Sequence, residues 1–175
     1  MQRLLVMTII GPDRPGIVRS VAALVQQHGG NWLESRMSRL GGQFAGILRV
    51  ETPADREQDL VSGLEGLAGQ GLKVVIYPDA PKSASGTRLL KQLEIVGQDR
   101  PGIVSQISGA LASQGVNVEE LQTECASAAM SGETLFRARA ILSVPENCNS
   151  MALRQQLEKI AADLIVEITL TEPVG

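Results

Sequence analysis

Two short loops in this chain carry the residue types best suited to holding a small charged molecule. "GPDRPGIV" runs from Gly11 to Val18 and "GQDRPGIV" from Gly97 to Val104, and seven of eight positions agree at an offset of 86 residues. Each loop sets an Asp-Arg pair, Asp13-Arg14 or Asp99-Arg100, ahead of Pro15-Gly16 or Pro101-Gly102, and an apolar stripe at helical spacing follows. A helix start leaves backbone N–H groups without intrahelical acceptors and carries partial positive charge, so it favours a carboxylate or phosphate. Glycine at that point removes a side chain and lets a ligand or another backbone approach. Asp13 or Asp99 could accept hydrogen bonds from an amino group or from the helix N–H groups. A small zwitterion would satisfy both features.

A purely structural reading competes with this one: Asp caps the helix, Pro starts it and Gly eases packing. Arg14 and Arg100 add nothing to such a cap, and a cation at a helix N-terminus is mildly unfavourable. Pairing with Asp or with a neighbouring unit would account for them. Asn31 and Asn117 open the strand after that helix. Their side-chain amides could orient a ligand, or the residues could end the helix in the left-handed conformation after glycine. Spacing does not choose between the two.

Other chemistry is thin. His28 is the only histidine, near a predicted helix end, where it serves as a dipole partner rather than a base. Cys125 and Cys148 lack metal-site spacing and make no disulfide framework, so they read as two reduced thiols. No metal or cofactor is called for. Ser20, Ser105 and Ser108 have no base partner, and "GPDRPG" lacks the Gly-Lys-Ser/Thr ending of a phosphate loop. The acidic run "ETPADREQD" reads as a solvated loop and helix start. A net charge of −3 without a basic run gives no footprint for direct nucleic-acid binding. The N-terminal apolar stretch is too short to span a bilayer and no cleavage site follows, so no membrane is implied and a cytoplasmic home is expected.

The elements that position the loops form a repeat. "QQHGGN" aligns with "ASQGVN" at the same offset, pairing Gly29 with Gly115 and Asn31 with Asn117. Farther on the offset becomes 92, matching Phe44 to Phe136 and Pro53 to Pro145. The second copy therefore holds about six extra residues near "CASAAMSGE", where a longer hairpin loop absorbs them.

In the first copy a continuous apolar run, "LLVMTII" from Leu4 to Ile10, predicts a strand buried on both faces. Ile17, Val21, Leu24 and Val25 then mark a helix that Pro15 starts and Gly29-Gly30 stops. "NWLESRMSRL" is the second strand. In the third, Phe44, Gly46, Leu48 and Val50 point one way and Arg49 and Glu51 the other. A helix with Leu60, Leu64 and Leu67, capped by Asp55, precedes a last strand "LKVVIY". The second copy repeats this with Leu153, Leu157 and Ile160, then "LIVEITL".

The order β-α-β-β-α-β, twice, predicts an α+β chain of two ferredoxin-like units, each an antiparallel four-stranded sheet with two helices on one face. Residues 1–77 and 88–175 form the units, and 78–87, rich in Pro, Ser, Ala and Gly, the linker. Units of this size have marginal cores. Association of the two units, or of two chains as a homodimer, would cover the helix-free sheet faces.

"GPDRPGIV…HGGN" and "GQDRPGIV…QGVN" inside this frame resemble the ACT domains, regulatory modules of amino-acid metabolism. The resemblance covers residues 2–77 and 88–171. It implies units paired side by side, with a small amino-acid effector at the interface near the first loop. Mapped onto this sequence, the ligand-binding residues are Asp13, Arg14, Pro15, Gly16 and Asn31, with Asp99, Arg100, Pro101, Gly102 and Asn117 in the second unit. A chain of two such units and no catalytic domain is similar to members that repress transcription through a protein partner, a transcriptional activator, without touching DNA. By that analogy the effector is glycine or serine and the protein is not an enzyme. The alternative is a free-standing regulatory subunit or adaptor of an amino-acid or folate enzyme. The longer second hairpin means that the two sites need not be equivalent.

Overall fold

A computed structural model describes residues 1–79, 87–127 and 134–172. The chain divides into two compact units, Met1–Lys82 and Ser83–Gly175. The linker expected at 78–87 and the hairpin insertion fall largely outside the described residues.

The first unit runs β1 (Gln2–Pro12), α1 (Ile17–Gln27), β2 (Asn31–Leu40), β3 (Gln43–Pro53), α2 (Glu57–Glu65), a short 3-10 turn (Gly66–Gln70) and β4 (Lys73–Pro78). Its strands lie in the order β2-β3-β1-β4. β3 is antiparallel to both β1 and β2, so those two are parallel with β3 between them, as the split βαβ pattern requires. The second unit repeats this with β5 (Arg88–Gln98), α3 (Ile103–Ser113), β6 (Asn117–Ser127), β7 (Thr134–Pro145), α4 (Ser150–Leu164) and β8 (Val166–Thr171), in the order β6-β7-β5-β8.

Each unit has its own aliphatic core. Ile17, Val21 and Val25 of α1 and Leu60 and Leu64 of α2 pack with Leu5, Met7 and Ile9 of β1 and Leu48 and Val50 of β3. In the second unit Ile103 and Ile107 of α3 and Leu153 and Leu157 of α4 cover Leu93, Ile95, Ala138, Ala140 and Leu142. Both helices of a unit therefore bury their stripes on one sheet face, the arrangement that a single apolar stripe per helix dictates. No helix among the described residues is long and apolar enough to cross a membrane.

Three local expectations change. β1 is not buried on both faces: Leu5, Met7 and Ile9 are buried, but Leu4 and Ile10 on the helix-free side are 38% and 43% exposed. An apolar run reads as two-faced burial even where the unit's own helices cover only one face. Asp55 does not cap α2, whose N-cap is Arg56 with no side-chain hydrogen bond. Pro15 does not start α1; it sits in a turn two residues ahead of Ile17.

Candidate functional site

Each loop leaves the sheet at the last residues of β1 or β5. Gly11 and Gly97 hold that exit close to the start of the unit's last strand. A Cβ on Gly11 would lie 2.6 Å from the Gly71 carbonyl oxygen, and one on Gly97 2.8 Å from that of Ile165. The Asp13 N–H then donates to the Gly42 carbonyl at 2.9 Å, and the Asp99 N–H to the Thr134 carbonyl at 2.9 Å. The first loop is thus pinned to the turn between β2 and β3, and the second to the first residue of β7.

Gly16 and Gly102 are the N-caps of α1 and α3, with φ of 93° and 97°. That left-handed geometry strains any L side chain, which accounts for glycine there. Crowding does not, because a Cβ on Gly16 would meet nothing within 4 Å. Neither helix receives a side-chain cap. Asp13 and Asp99 are therefore not the caps that the structural reading made of them, and the first-turn N–H groups keep their affinity for an anion. α4 differs: Asn149 caps it, its Oδ1 accepting from the Ala152 N–H at 3.0 Å.

The two loops then diverge in their side chains. Asp13 Oδ2 faces the guanidinium of Arg39, Nη1 at 3.6 Å. Arg39 pairs across the sheet with Phe44, and Phe44 with Gly11. In the second unit that register falls on Cys125, Phe136 and Gly97. Cys125 is an exposed free thiol. Partial desolvation and the Asp99 carboxylate, which accepts its hydrogen bond and opposes a thiolate, push the thiol above its ordinary pKa. Since the residue is exposed, the carboxylate is the cause that the arrangement supports better.

The arginines differ as well. Arg14 Nη2 donates to the Gln70 carbonyl and to Gln70 Oε1, both at 3.3 Å. Arg100 Nη2 donates to Gln98 Oε1 at 3.1 Å. Neither pairs with the loop Asp.

Asn31 and Asn117 lie elsewhere in their units. Asn31 pairs with Glu51, and Glu51 with Leu4 at the far end of β1. Asn117 pairs with Ser143, level with Leu90. At about 3.3 Å per residue, some nine residues of strand put Asn31 roughly 30 Å from its own loop. Their amides donate to Glu51 Oε1 and Glu119 Oε1. The left-handed C-cap geometry belongs to Gly29 and Gly115 instead, at φ of 69° and 67°. Within one unit, then, Asp, Arg, Pro and Gly come together and Asn does not.

Arg39 and Gln70 escaped the sequence reading, which treats Cys125 only as a reduced thiol, although the offset of 86 that aligns the loops also sets Arg39 over Cys125. A depression of about 560 Å³ opens on the second sheet among Glu94, Gln122, Glu124, Arg137 and Arg139, and contains none of the loop residues. Among the described residues no group of three or more His, Cys, Asp or Glu is placed to hold a metal ion.

Comparison with known proteins agrees with this architecture. Models of the ACT domain match residues 3–77 and 91–138. The glycine cleavage system transcriptional repressor of Escherichia coli (strain K12) is 23% identical over 170 residues, covering 93% of this chain and 86% of that protein. A crystal structure of an unknown protein from Galdieria sulphuraria superposes with a TM-score of 0.88 at 30% identity, covering 99% of this chain and 100% of that one. That of a candidate glycine cleavage system transcriptional repressor superposes at 0.68 with 22% identity, over 98% and 97% of the two chains.

Proposed function

The chain belongs to the ACT-domain family, as two units in tandem, and from that premise we propose that it is an amino-acid-responsive regulator acting through a protein partner. The effector is a small α-amino acid, glycine or serine by analogy with the repressor-like relatives. Its carboxylate would meet the uncapped N–H groups at the start of α1 or α3. Its ammonium would meet Asp13 or Asp99. A transcriptional activator is the partner that the relatives suggest, and binding of effector shifts an equilibrium that sets affinity for it. The chain itself performs no catalysis in this reading and makes no direct contact with nucleic acid.

The observation that carries the proposal is the pairing of a helix start without a side-chain cap and an aspartate not used as that cap, built identically in both loops. An uncapped helix start and a carboxylate that does not cap it match the two charges of a zwitterion. Isothermal calorimetry of the full chain against the proteinogenic amino acids tests it. Saturable heat with a small amino acid, lost in a variant with alanine at both Asp13 and Asp99, is expected. Silence across the whole panel refutes it.

A further inference from the structure

We propose that the second unit alone takes the effector, and that Arg39 closes the first by standing where the effector's ammonium would stand. The inference rests on the amino-acid reading above and adds which of the two loops is open and what decides it.

Position 39 and position 125 are the same place in the fold. Each sits opposite a phenylalanine, Phe44 or Phe136, that sits opposite the loop's first glycine. Each lies near the loop aspartate from the sheet's edge strand, β2 or β6, one strand removed from the strand that feeds the loop. In the first unit the side chain there is a guanidinium 3.6 Å from Asp13 Oδ2. It neutralises the carboxylate and repels a second cation. In the second unit it is an uncharged thiol. Among the described residues Asp99 has no cationic partner, so its charge is open to an incoming ammonium.

Two further differences point the same way. Arg14 ties the first loop to Gln70 of the 3-10 turn, a contact made 56 residues away along the chain. Arg100 reaches only Gln98, two residues back, and leaves the second loop untethered by its arginine. Over the second loop stands the side-chain amide of Gln106, whose Nε2 lies 3.5 Å from the position a Cβ on Gly102 would take. That amide makes no hydrogen bond among the described residues. At the matching position in the first unit Ser20 turns its hydroxyl back onto the Gly16 carbonyl, at 3.0 Å. The second loop therefore offers an acceptor without a counterion and a polar side chain without a partner. The first loop has satisfied both positions internally.

Calorimetric stoichiometry across a swap of the two positions tests this. Wild type should bind one amino acid per chain. Cys125→Arg should weaken that binding about tenfold or more, as like charge at a shared carboxylate does, while Cys125→Ser keeps it. Arg39→Cys should raise the stoichiometry to two. The double swap should bind one, lost on Asp13→Asn and indifferent to Asp99→Asn. All these positions are exposed, and an unchanged thermal transition checks that each variant is folded. Two equal sites in wild type, or a single site that survives Cys125→Arg and disappears with Asp13→Asn, overturns the assignment. Silence in wild type and in Arg39→Cys alike overturns the amino-acid reading, and this inference with it.

Discussion

Gly16 and Gly66 make a matched pair for testing what holds the first loop in shape. A methyl group on either would meet nothing within 4 Å. Steric crowding is therefore equal, and backbone geometry is the difference: Gly16 sits at φ 93° and Gly66 at φ −59°, in the right-handed helical region. Forcing an L-alanine into the left-handed region costs about 1–2 kcal/mol. Replacing a helical glycine by alanine gains roughly 0.5–1 kcal/mol, because the unfolded chain loses freedom. Gly16→Ala should thus destabilise the first unit and Gly66→Ala stabilise it. For a domain of this size about 1 kcal/mol moves the midpoint by roughly 4–8 °C, so the two variants should separate by about 10 °C. Trp32 is the only tryptophan in the chain and packs against the first unit's core. Its fluorescence therefore follows that unit alone during thermal or urea unfolding. Alanine at position 16 that proves neutral or stabilising would show that the left-handed turn is not enforced, and the account of an uncapped, fixed helix start would fail.

Other consequences are as direct. Thr52 is fully buried and its hydroxyl has no hydrogen-bond partner among the described residues, while Val144 holds the matching place in the second unit; Thr52→Val should therefore raise stability by about 1 kcal/mol in urea titration. Gly97→Ala should cost about 1–3 kcal/mol or more by circular dichroism, since the new carbon would sit 2.8 Å from backbone that has little room to retreat. Alkylation of Cys125 should turn on at a higher pH than that of an unperturbed thiol, and Asp99→Asn should bring its pH profile down by removing the carboxylate that opposes the thiolate. The same upward shift makes the cysteine's contribution to stability present below the ordinary thiol pKa and lost as pH rises through the raised one.

The fold was legible because its signals are local and come twice. Ile17, Val21 and Val25 are a helical stripe wherever the helix docks, and Leu48 and Val50 alternate with Arg49 and Glu51 however the sheet is ordered. Once six elements repeat in one order, the right-handed crossover leaves few topologies. The loops were legible as candidate sites for the same reason. What escaped depends on pairing between strands. That Arg39 meets Asp13 follows from a register passing through Phe44 to Gly11, and no spacing along the chain states it. Asn31 was grouped with the loop because the strands of both, parallel with one strand between them in the split βαβ pattern, would border one pocket. The register sets the two at opposite ends of the sheet. Pro15 and Asp55 misled because each suits a helix start in isolation, whereas the turn geometry at Gly16 and Arg56 sets the start one or two residues later.

The close approach at Gly11 and Gly97 has a bearing on how such duplicated chains can diverge. Both copies must keep that glycine for the passage of the final strand, and the left-handed bend behind it for entry into the helix, whether or not anything binds. A module that has fallen silent would go on displaying the whole signature. The position opposite the aspartate is under no such mechanical obligation, so a guanidinium in one half and a sulfhydryl in the other can divide the labour while the outline stays twinned.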